Sequence, residues 1–279
     1  MTNQQWLSDA RARLIHAAHE EAHASARLLL DWATGKRYAA LADPDAVLPA
    51  ETLHKLELAL QKLEARVPLP HITGRASFYN LPFEVTPATL IPRAETEFLV
   101  EAALKRLPAN ARVADLGAGS GAIAIAIKKT RPDCQLWATE ISPAAREIAQ
   151  RNAAHNQALV TFLDGAADWL SPLQSIKPLD CLVSNPPYIP AAALETLQPE
   201  VRLYEPRGAL DGGADGLDPY RIFAESGRDY LSKGGFCAVE LGDEQWEKVR
   251  QLFVTNGWAV EAAVYDLQNI PRVLMARHV

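Results

Sequence analysis

The stretch "VADLGAGSGAIAIAI", residues 113–127, constrains the fold more than any other part of the chain. An apolar run carrying one acid ends in three glycines spaced two apart, and a run of alanine and isoleucine follows. Glycine tolerates positive φ at no steric cost, so the chain can reverse within a few residues there, and a buried strand then feeds directly into a helix. Units of this kind build a mostly parallel sheet with helices on both faces. The remaining sequence from residue 95 keeps the alternation. The patterns predict helices over 95–107, 120–130, 142–155, 217–232 and 243–256. They predict strands over 111–116, 134–139, 158–163, 179–184 and 235–241, with two late strands near 257–265 and 271–277.

The first 66 residues read differently. Apolar residues recur there at helical spacing: Trp6, Leu7, Ala10, Leu14 and Ala17, then Ala22, Ala26, Leu29, Leu30 and Ala33, then Leu53, Leu56, Leu60 and Leu63. Gly35 and Pro44 punctuate the runs and Pro49-Ala50-Glu51 suits a helix start, which predicts a small helical bundle over 1–66. Residues 67–93, "VPLPHITGRASFYNLPFEVTPATLIPR", are proline-rich, with Phe78, Leu81, Phe83 and Val85 disposed around a turn at Asn80. This predicts a hairpin linker, leaving 94–279 as the α/β domain.

With 279 residues and a hydrophobic share of 48%, two cores are affordable, and the net charge of −6 gives no electrostatic reason to sit on nucleic acid or an acidic membrane. Cys134, Cys181 and Cys237 are single and apolar in context, without zinc-site spacing or an even count for a disulfide framework, so neither metal nor disulfide is expected. No stretch has the length of a membrane span, and the N-terminus lacks a signal-peptide pattern. A cytoplasmic location is expected.

In open sheets of this kind ligands bind beyond the carboxyl ends of the strands. Gly117, Gly119 and Gly121 would admit a ligand close to the backbone at a helix N-terminus. Gly117, Gly119 and Ala122 also satisfy the loose dinucleotide fingerprint, so glycine spacing alone does not choose the ligand. Asp115 does choose: a carboxylate there would repel a pyrophosphate but attract the ammonium and sulfonium charges of S-adenosylmethionine. Glu140, ending the next strand, is placed to accept from ribose hydroxyls. In "ADWL", Asp168 is a candidate acceptor for an adenine amino group and Trp169 a flat surface for the purine, with core packing as the competing role for Trp169.

The last constellation is Asn185-Pro186-Pro187-Tyr188, directly after strand 179–184. The prolines fix φ and stiffen the presentation of neighbouring carbonyls. A rigid set of acceptors beside an aromatic ring suits a planar NH2 group conjugated to a carbonyl or a ring. The Asn185 side-chain oxygen and the Pro186 carbonyl accept its two N–H bonds, aiming the nitrogen lone pair at a methyl donor, and Tyr188 packs against the planar group.

Residues 115–121 together with Asn185-Pro186-Pro187-Tyr188 resemble the class I S-adenosylmethionine-dependent methyltransferases that modify planar nitrogens. "PLPHITGRASFYNLPFEV", "LIPRAETEFLV", "EVRLYEPRGALDGGADGLDPY" and "PRVLMAR" narrow the resemblance to the HemK-type N5-glutamine methyltransferases of peptide chain release factors, over nearly the whole chain. The resemblance implies a Rossmann-like sheet whose last strand is antiparallel, and methylation of the glutamine in the release factors' Gly-Gly-Gln loop. It implies donor binding by Gly117, Ala118, Gly119, Ser120, Gly121, Glu140, Trp169 and Asn185, substrate contact by Asn185, Pro186, Pro187 and Tyr188, and release-factor binding by the helical domain. The chain departs from the family's usual residues at Ala94, commonly proline, and at Glu140, often aspartate. Arg75 and Arg93 flank the linker as candidates for partner contact or for ordinary ion pairs.

Two further enzyme readings share the chemistry. An adenine-N6 or cytosine-N4 nucleic-acid methyltransferase poses the same geometric problem, but would need base flipping and a basic surface. A ribosomal-protein glutamine methyltransferase would differ only in its protein substrate. A dinucleotide oxidoreductase or a non-catalytic donor-binding protein would leave the tetrapeptide unexplained.

Overall fold

The computed structural model describes residues 1–279 and resolves into two compact units, Met1–Arg75 with Gln198–Tyr204, and Ala76–Leu197 with Glu205–Val279. The first unit is helical. It contains α1 (Asn3–His16), α2 (Ala22–Thr34), α3 (Ala39–Ala42), α4 (Ala50–Glu64), α5 (Leu69–Thr73) and, contributed from far along the chain, a short helix at Pro199–Tyr204. Thr2 starts α1 with a reciprocal cap: its hydroxyl accepts from Gln5 N while its own N–H donates to Gln5 Oε1. Such caps stabilise a helix start by about 1 kcal/mol. Leu14, Leu29, Leu30, Leu56, Leu60 and Leu63 are fully buried in one core, each contributing roughly 1.5–3 kcal/mol of transfer free energy. The late helix is tied in by Arg66, which pairs with Glu200, and by the Tyr204 hydroxyl, which donates to the Ala65 carbonyl at 2.8 Å. Residues 67–75 therefore belong with the helices and not with a separate linker, and residues 198–204 lie outside the α/β unit in which the sequence reading had placed them.

The second unit opens with the hairpin of β1 (Arg75–Phe78) and β2 (Leu81–Glu84), which pair in a two-stranded sheet. Tyr79 and Asn80 both hold positive φ, as a tight two-residue hairpin turn requires. Phe78 and Phe83 then meet edge-on at 6.1 Å and are buried. After α6 (Thr96–Leu104) come β3 (Arg112–Leu116), α7 (Ala122–Thr130), β4 (Gln135–Glu140), α8 (Pro143–His155), β5 (Val160–Asp164) and β6 (Leu179–Ser184). With the Pro199–Tyr204 helix counted as α9, there follow α10 (Asp218–Ser226), β7 (Leu231–Glu240), α11 (Trp246–Thr255), β8 (Ala259–Val260), β9 (Val264–Tyr265) and β10 (Pro271–Arg277).

The strands form one sheet in the order β5-β4-β3-β6-β7-β10-β8, with β9 also on β10. From β5 to β7 all neighbours are parallel, and β10 enters antiparallel to β7, as the resemblance implied. Both faces are covered. Val113, Cys181 and Val183 face a core with Phe78, Leu99 and Ile125, whereas Ala114 and Leu182 face one with Tyr220, Phe223 and Phe253. All three cysteines are buried and unbonded. The helix expected over 217–232 ends at Ser226, because a tight turn over Gly227–Tyr230 follows and β7 begins at Leu231. The Trp258 indole N–H donates to the Ala224 carbonyl, and its ring lies 3.3 Å from where a Cβ on residue 227 would sit. No helix is long and apolar enough to cross a membrane.

Candidate active site

The parallel strands deliver Leu116, Glu140, Asp164 and Ser184 to the same edge of the sheet, and a cleft of about 240 Å³ opens there. The glycine loop forms its floor. Gly117, Gly119 and Gly121 all hold positive φ, from +55° to +83°. The N–H groups of Gly117 and Ala118 both donate to the Thr139 carbonyl, which ties the loop to the end of β4. From α8, the buried Asn152 bridges the same loop to the hairpin: its Nδ2 donates to the Ser120 and Glu84 carbonyls and its Oδ1 accepts from Glu84 N.

Glu140 lines the cleft with each carboxylate oxygen accepting one backbone N–H, Oε2 from Gly119 and Oε1 from Ser142, both at 2.8 Å. A carboxylate held this way keeps free lone pairs for a vicinal diol. Trp169 forms a wall. Its φ is +62°, uncommon for a bulky residue, and its ring meets Phe223 edge-on at 5.4 Å. A Cβ on Gly117 would come within 2.8 Å of that ring, so the glycine is required by the tryptophan as much as by the turn. The indole both packs on the second core and faces the cleft.

Asn185 lines the cleft from the tip of β6, and its Nδ2 donates to the Thr96 hydroxyl at 3.0 Å. This sets the amide so that Oδ1 is the atom left to accept. No backbone N–H of the chain donates to the Pro186 carbonyl. The tetrapeptide is clamped from behind: the Tyr188 carbonyl accepts from Gln245 Nε2 at 2.9 Å, and Gly212 approaches Pro187 and Tyr188 closely enough to exclude any side chain.

Four residues expected in the site, Asp115, Asp168, Pro186 and Tyr188, are not among those that line the cleft. Asp115 is fully buried behind the loop, where its Oδ2 accepts from Ala124 N at 3.1 Å and its Oδ1 has no partner. Burial, with Glu140 adding to the effect, pushes its pKa up to about 7. Asp168 is exposed, and its Oδ1 accepts from the N–H and hydroxyl of Ser171, capping a short turn. Tyr188 packs its ring into the second core, and burial raises its pKa to about 12. Within the tetrapeptide, Asn185 and Pro187 face the cleft.

The cleft has a second wall, of which only Arg93 carries a sequence expectation, as a partner contact or an ordinary ion pair. Thr89, Arg93 and Thr96 line the cleft from one side, and Pro206, Gly208 and Ala209 also contribute. Arg93 is locked by Glu205, whose side chain is 1% exposed, at 2.6 Å. Gly165 packs its Cα against the Glu140–Ile141 peptide with no room for a Cβ. Thr96 was legible only as a hydroxyl residue at a helix start, the usual signature of a cap. No group of three or more metal-ligating side chains is assembled anywhere in the chain.

Sequence relatives place the chain in a family. The methyltransferase small domain matches residues 94–199 and the PrmC N-terminal domain matches 5–74. A release factor glutamine methyltransferase of Geobacter sulfurreducens is 43% identical over 272 residues, covering 97% of this chain and 95% of its own. That of Escherichia coli is 38% identical over 280 residues, covering 100% and 99%. The chain belongs to the release factor glutamine methyltransferase family. Among solved structures, a methyltransferase from Pyrococcus furiosus superposes with a TM-score of 0.55 at 16% identity, covering 82% of this chain and 99% of its own. The 16S rRNA N2 G1207 methyltransferase of Thermus thermophilus gives 0.51 at 19% identity, covering 74% and 50%. These last two share the fold, and the family membership rests on the sequence relatives.

Proposed function

We propose that this chain methylates the side-chain amide nitrogen of the glutamine in the Gly-Gly-Gln loop of peptide chain release factors, with S-adenosylmethionine as methyl donor. The observation that carries the reading is the oriented Asn185 amide beside the glycine loop: one acceptor oxygen directed by its Thr96 bond, within the same cleft as Glu140 and Trp169. The donor supplies an electrophilic methyl on a sulfonium.

The residues of the cleft suit that donor. Glu140 offers acceptor lone pairs for ribose hydroxyls, the Trp169 indole offers a plane for the purine, and Gly119 has open space where any other residue would carry a Cβ. Asn185 Oδ1 and the Pro186 carbonyl accept the two N–H bonds of the glutamine carboxamide. An amide nitrogen is a poor nucleophile, so holding it in place is the larger part of the catalysis; orientation can supply on the order of 7–11 kcal/mol in favourable cases. Both acceptors favour the nitrogen as it gains positive character, and no strong base is needed before attack. A substrate without two N–H donors leaves these acceptors unpaired, at about 1–3 kcal/mol each.

Release factor incubated with S-adenosylmethionine and this protein should gain one methyl, located by peptide mass spectrometry on the loop glutamine. A methyl on another residue, or on a ribosomal protein in preference, would refute the substrate assignment. A tight, salt-sensitive DNA complex with methylated adenine or cytosine would favour the nucleic-acid reading instead.

A further inference from the structure

Gln245, the residue from which α11 starts, is buried and does not line the cleft. Its side-chain amide joins three segments that are distant in sequence. Nε2 donates to the Tyr188 carbonyl at 2.9 Å and to the Gly216 carbonyl at 3.2 Å, and Oε1 accepts from Gly242 N at 2.9 Å. A carbonyl can only accept and a backbone N–H can only donate, so these partners allow the amide one orientation. Reversed, it would set its oxygen against both carbonyls and its nitrogen against the N–H. The surrounding backbone leaves room for nothing else: a Cβ on Gly216 would come 2.3 Å from the Tyr188 carbonyl oxygen and 2.9 Å from Nε2, and a Cβ on Gly242 would come 2.8 Å from both Oε1 and the Tyr188 ring.

The link from this amide to the cleft is short and stiff. Only Pro186 and Pro187, each with φ fixed by its ring, separate Tyr188 from Asn185. Tyr188 is held twice, by its ring in the second core and by its carbonyl on Gln245, which leaves Asn185 little freedom. On the other branch, Gly216 ends the segment 205–216, whose Pro206, Gly208 and Ala209 line the cleft. That segment is tied to the residue after the tetrapeptide, because Ile189 N donates to the Leu210 carbonyl and Gly212 N to the Ile189 carbonyl. We propose that Gln245 is a positioning residue that locks the Asn185–Tyr188 tetrapeptide and the Pro206–Ala209 wall into one body, and so fixes the slot that the substrate carboxamide enters. The inference rests on the reading of the tetrapeptide as the acceptor of a glutamine amide. The glycine loop, Glu140 and Trp169 make no hydrogen bond to Gln245, so loosening it should be felt in turnover and not in the seat of the donor.

The test compares the wild type with Gln245→Met, Gln245→Glu and Val249→Ala. Methionine keeps the length of the side chain and loses its three hydrogen bonds. An ionised glutamate keeps an acceptor for Gly242 N and loses both donations. Val249, buried one turn further along α11, controls for lost stability alone. Each protein is measured for kcat and KM on release factor, for S-adenosylmethionine affinity by calorimetry, for thermal midpoint, and for amide hydrogen exchange. Gln245→Met and Gln245→Glu should each lower kcat roughly 10–100-fold with donor affinity within about twofold. Exchange at Ile189 and Gly212 should quicken by about tenfold in both, while residues 112–127 keep their protection. Val249→Ala should lower the thermal midpoint and keep kcat within about twofold of wild type. A wild-type kcat in the Gln245 variants, an equal loss of kcat in Val249→Ala, a loss of donor affinity as large as the loss of kcat, or unchanged exchange at Ile189 and Gly212 would each overturn the proposal. Should one Gln245 variant fail to fold, the other carries the same comparison. A wild type that yields no methylglutamine would instead bring down the assigned reaction, and the exchange measurements would still judge the lock.

Discussion

Single atoms decide what this cleft can hold. On the proposed reading Asn185 meets the reacting group, whereas the donor would rest mainly on the glycine loop, Glu140 and Trp169, all of which line the cleft. Asn185→Ala should therefore lower kcat far more than it weakens S-adenosylmethionine, as separate kinetic and calorimetric measurements would show; equal losses would mean that the residue mainly holds the donor. Arg93 makes a different kind of contribution. Its partner Glu205 is almost wholly buried, burial raises that carboxyl's pKa, and Arg93 opposes the rise. Arg93→Ala strands a charge beside the cleft and should cost about 3 kcal/mol in denaturant unfolding, the low end for a broken buried pair because the arginine is one-third exposed. Adding Glu205→Gln to it should recover part of that loss.

At the scale of elements, much was legible from the sequence, and the reasons are concrete. The strand, glycine turn and helix over 113–127 could be read because glycine spacing and apolar runs are local signals. The Asn80 turn was legible from its alternating flanks, and Asn185 from its place after an apolar strand. What local pattern does not carry is which atoms close behind a site. Asp115 looked like a cleft residue because it ends a strand, yet β3 turns it away into the α7 N-terminus, where Ala124 N meets it. Asp168, expected as a ligand contact, uses its Oδ1 locally to accept from Ser171. Thr96, Arg93 and Gln245 reach the site across roughly 60 to 110 residues of sequence, and no periodicity encodes such distances. Gly165 illustrates the coupling between strand ends. A Cβ there would lie 2.5 Å from Ile141 N, a backbone atom that cannot swing aside. Gly165→Ala should therefore lower the melting temperature by several degrees and weaken donor binding at once, through the displaced end of β4 and its Glu140, measured by scanning calorimetry and titration.

At the scale of the whole molecule, buried charge should leave a mark on stability against pH. Asp115 and Glu240 have pKa values raised to about 7 in the folded chain, against ordinary values of 3.8 and 4.5. Between those limits the folded state binds more protons than the unfolded one, so these two groups make stability fall as pH rises from about 4.5 to 7. His19, lowered mainly by burial, works the other way by disfavouring the folded state as pH drops through its ordinary 6.5. Asp115→Asn should flatten the fall, and thermal midpoints of both proteins across that range would reveal it; parallel curves would count against a proton on Asp115. The net charge of −6 also argues for a protein partner over a polyanion.

The path of the backbone has one more implication. The first compact unit is completed by Gln198–Tyr204, so the polypeptide passes between the units three times: after Arg75, after Leu197 and after Tyr204. Cutting at residue 75 would deprive the N-terminal fragment of the carboxylate that Arg66 grips and of the hydroxyl that caps the Ala65 carbonyl. The catalytic fragment would retain a six-residue helix with nothing to dock against. The two halves of this enzyme are therefore interleaved in the gene: neither can be trimmed off, swapped or duplicated by a single recombination event without breaking the other.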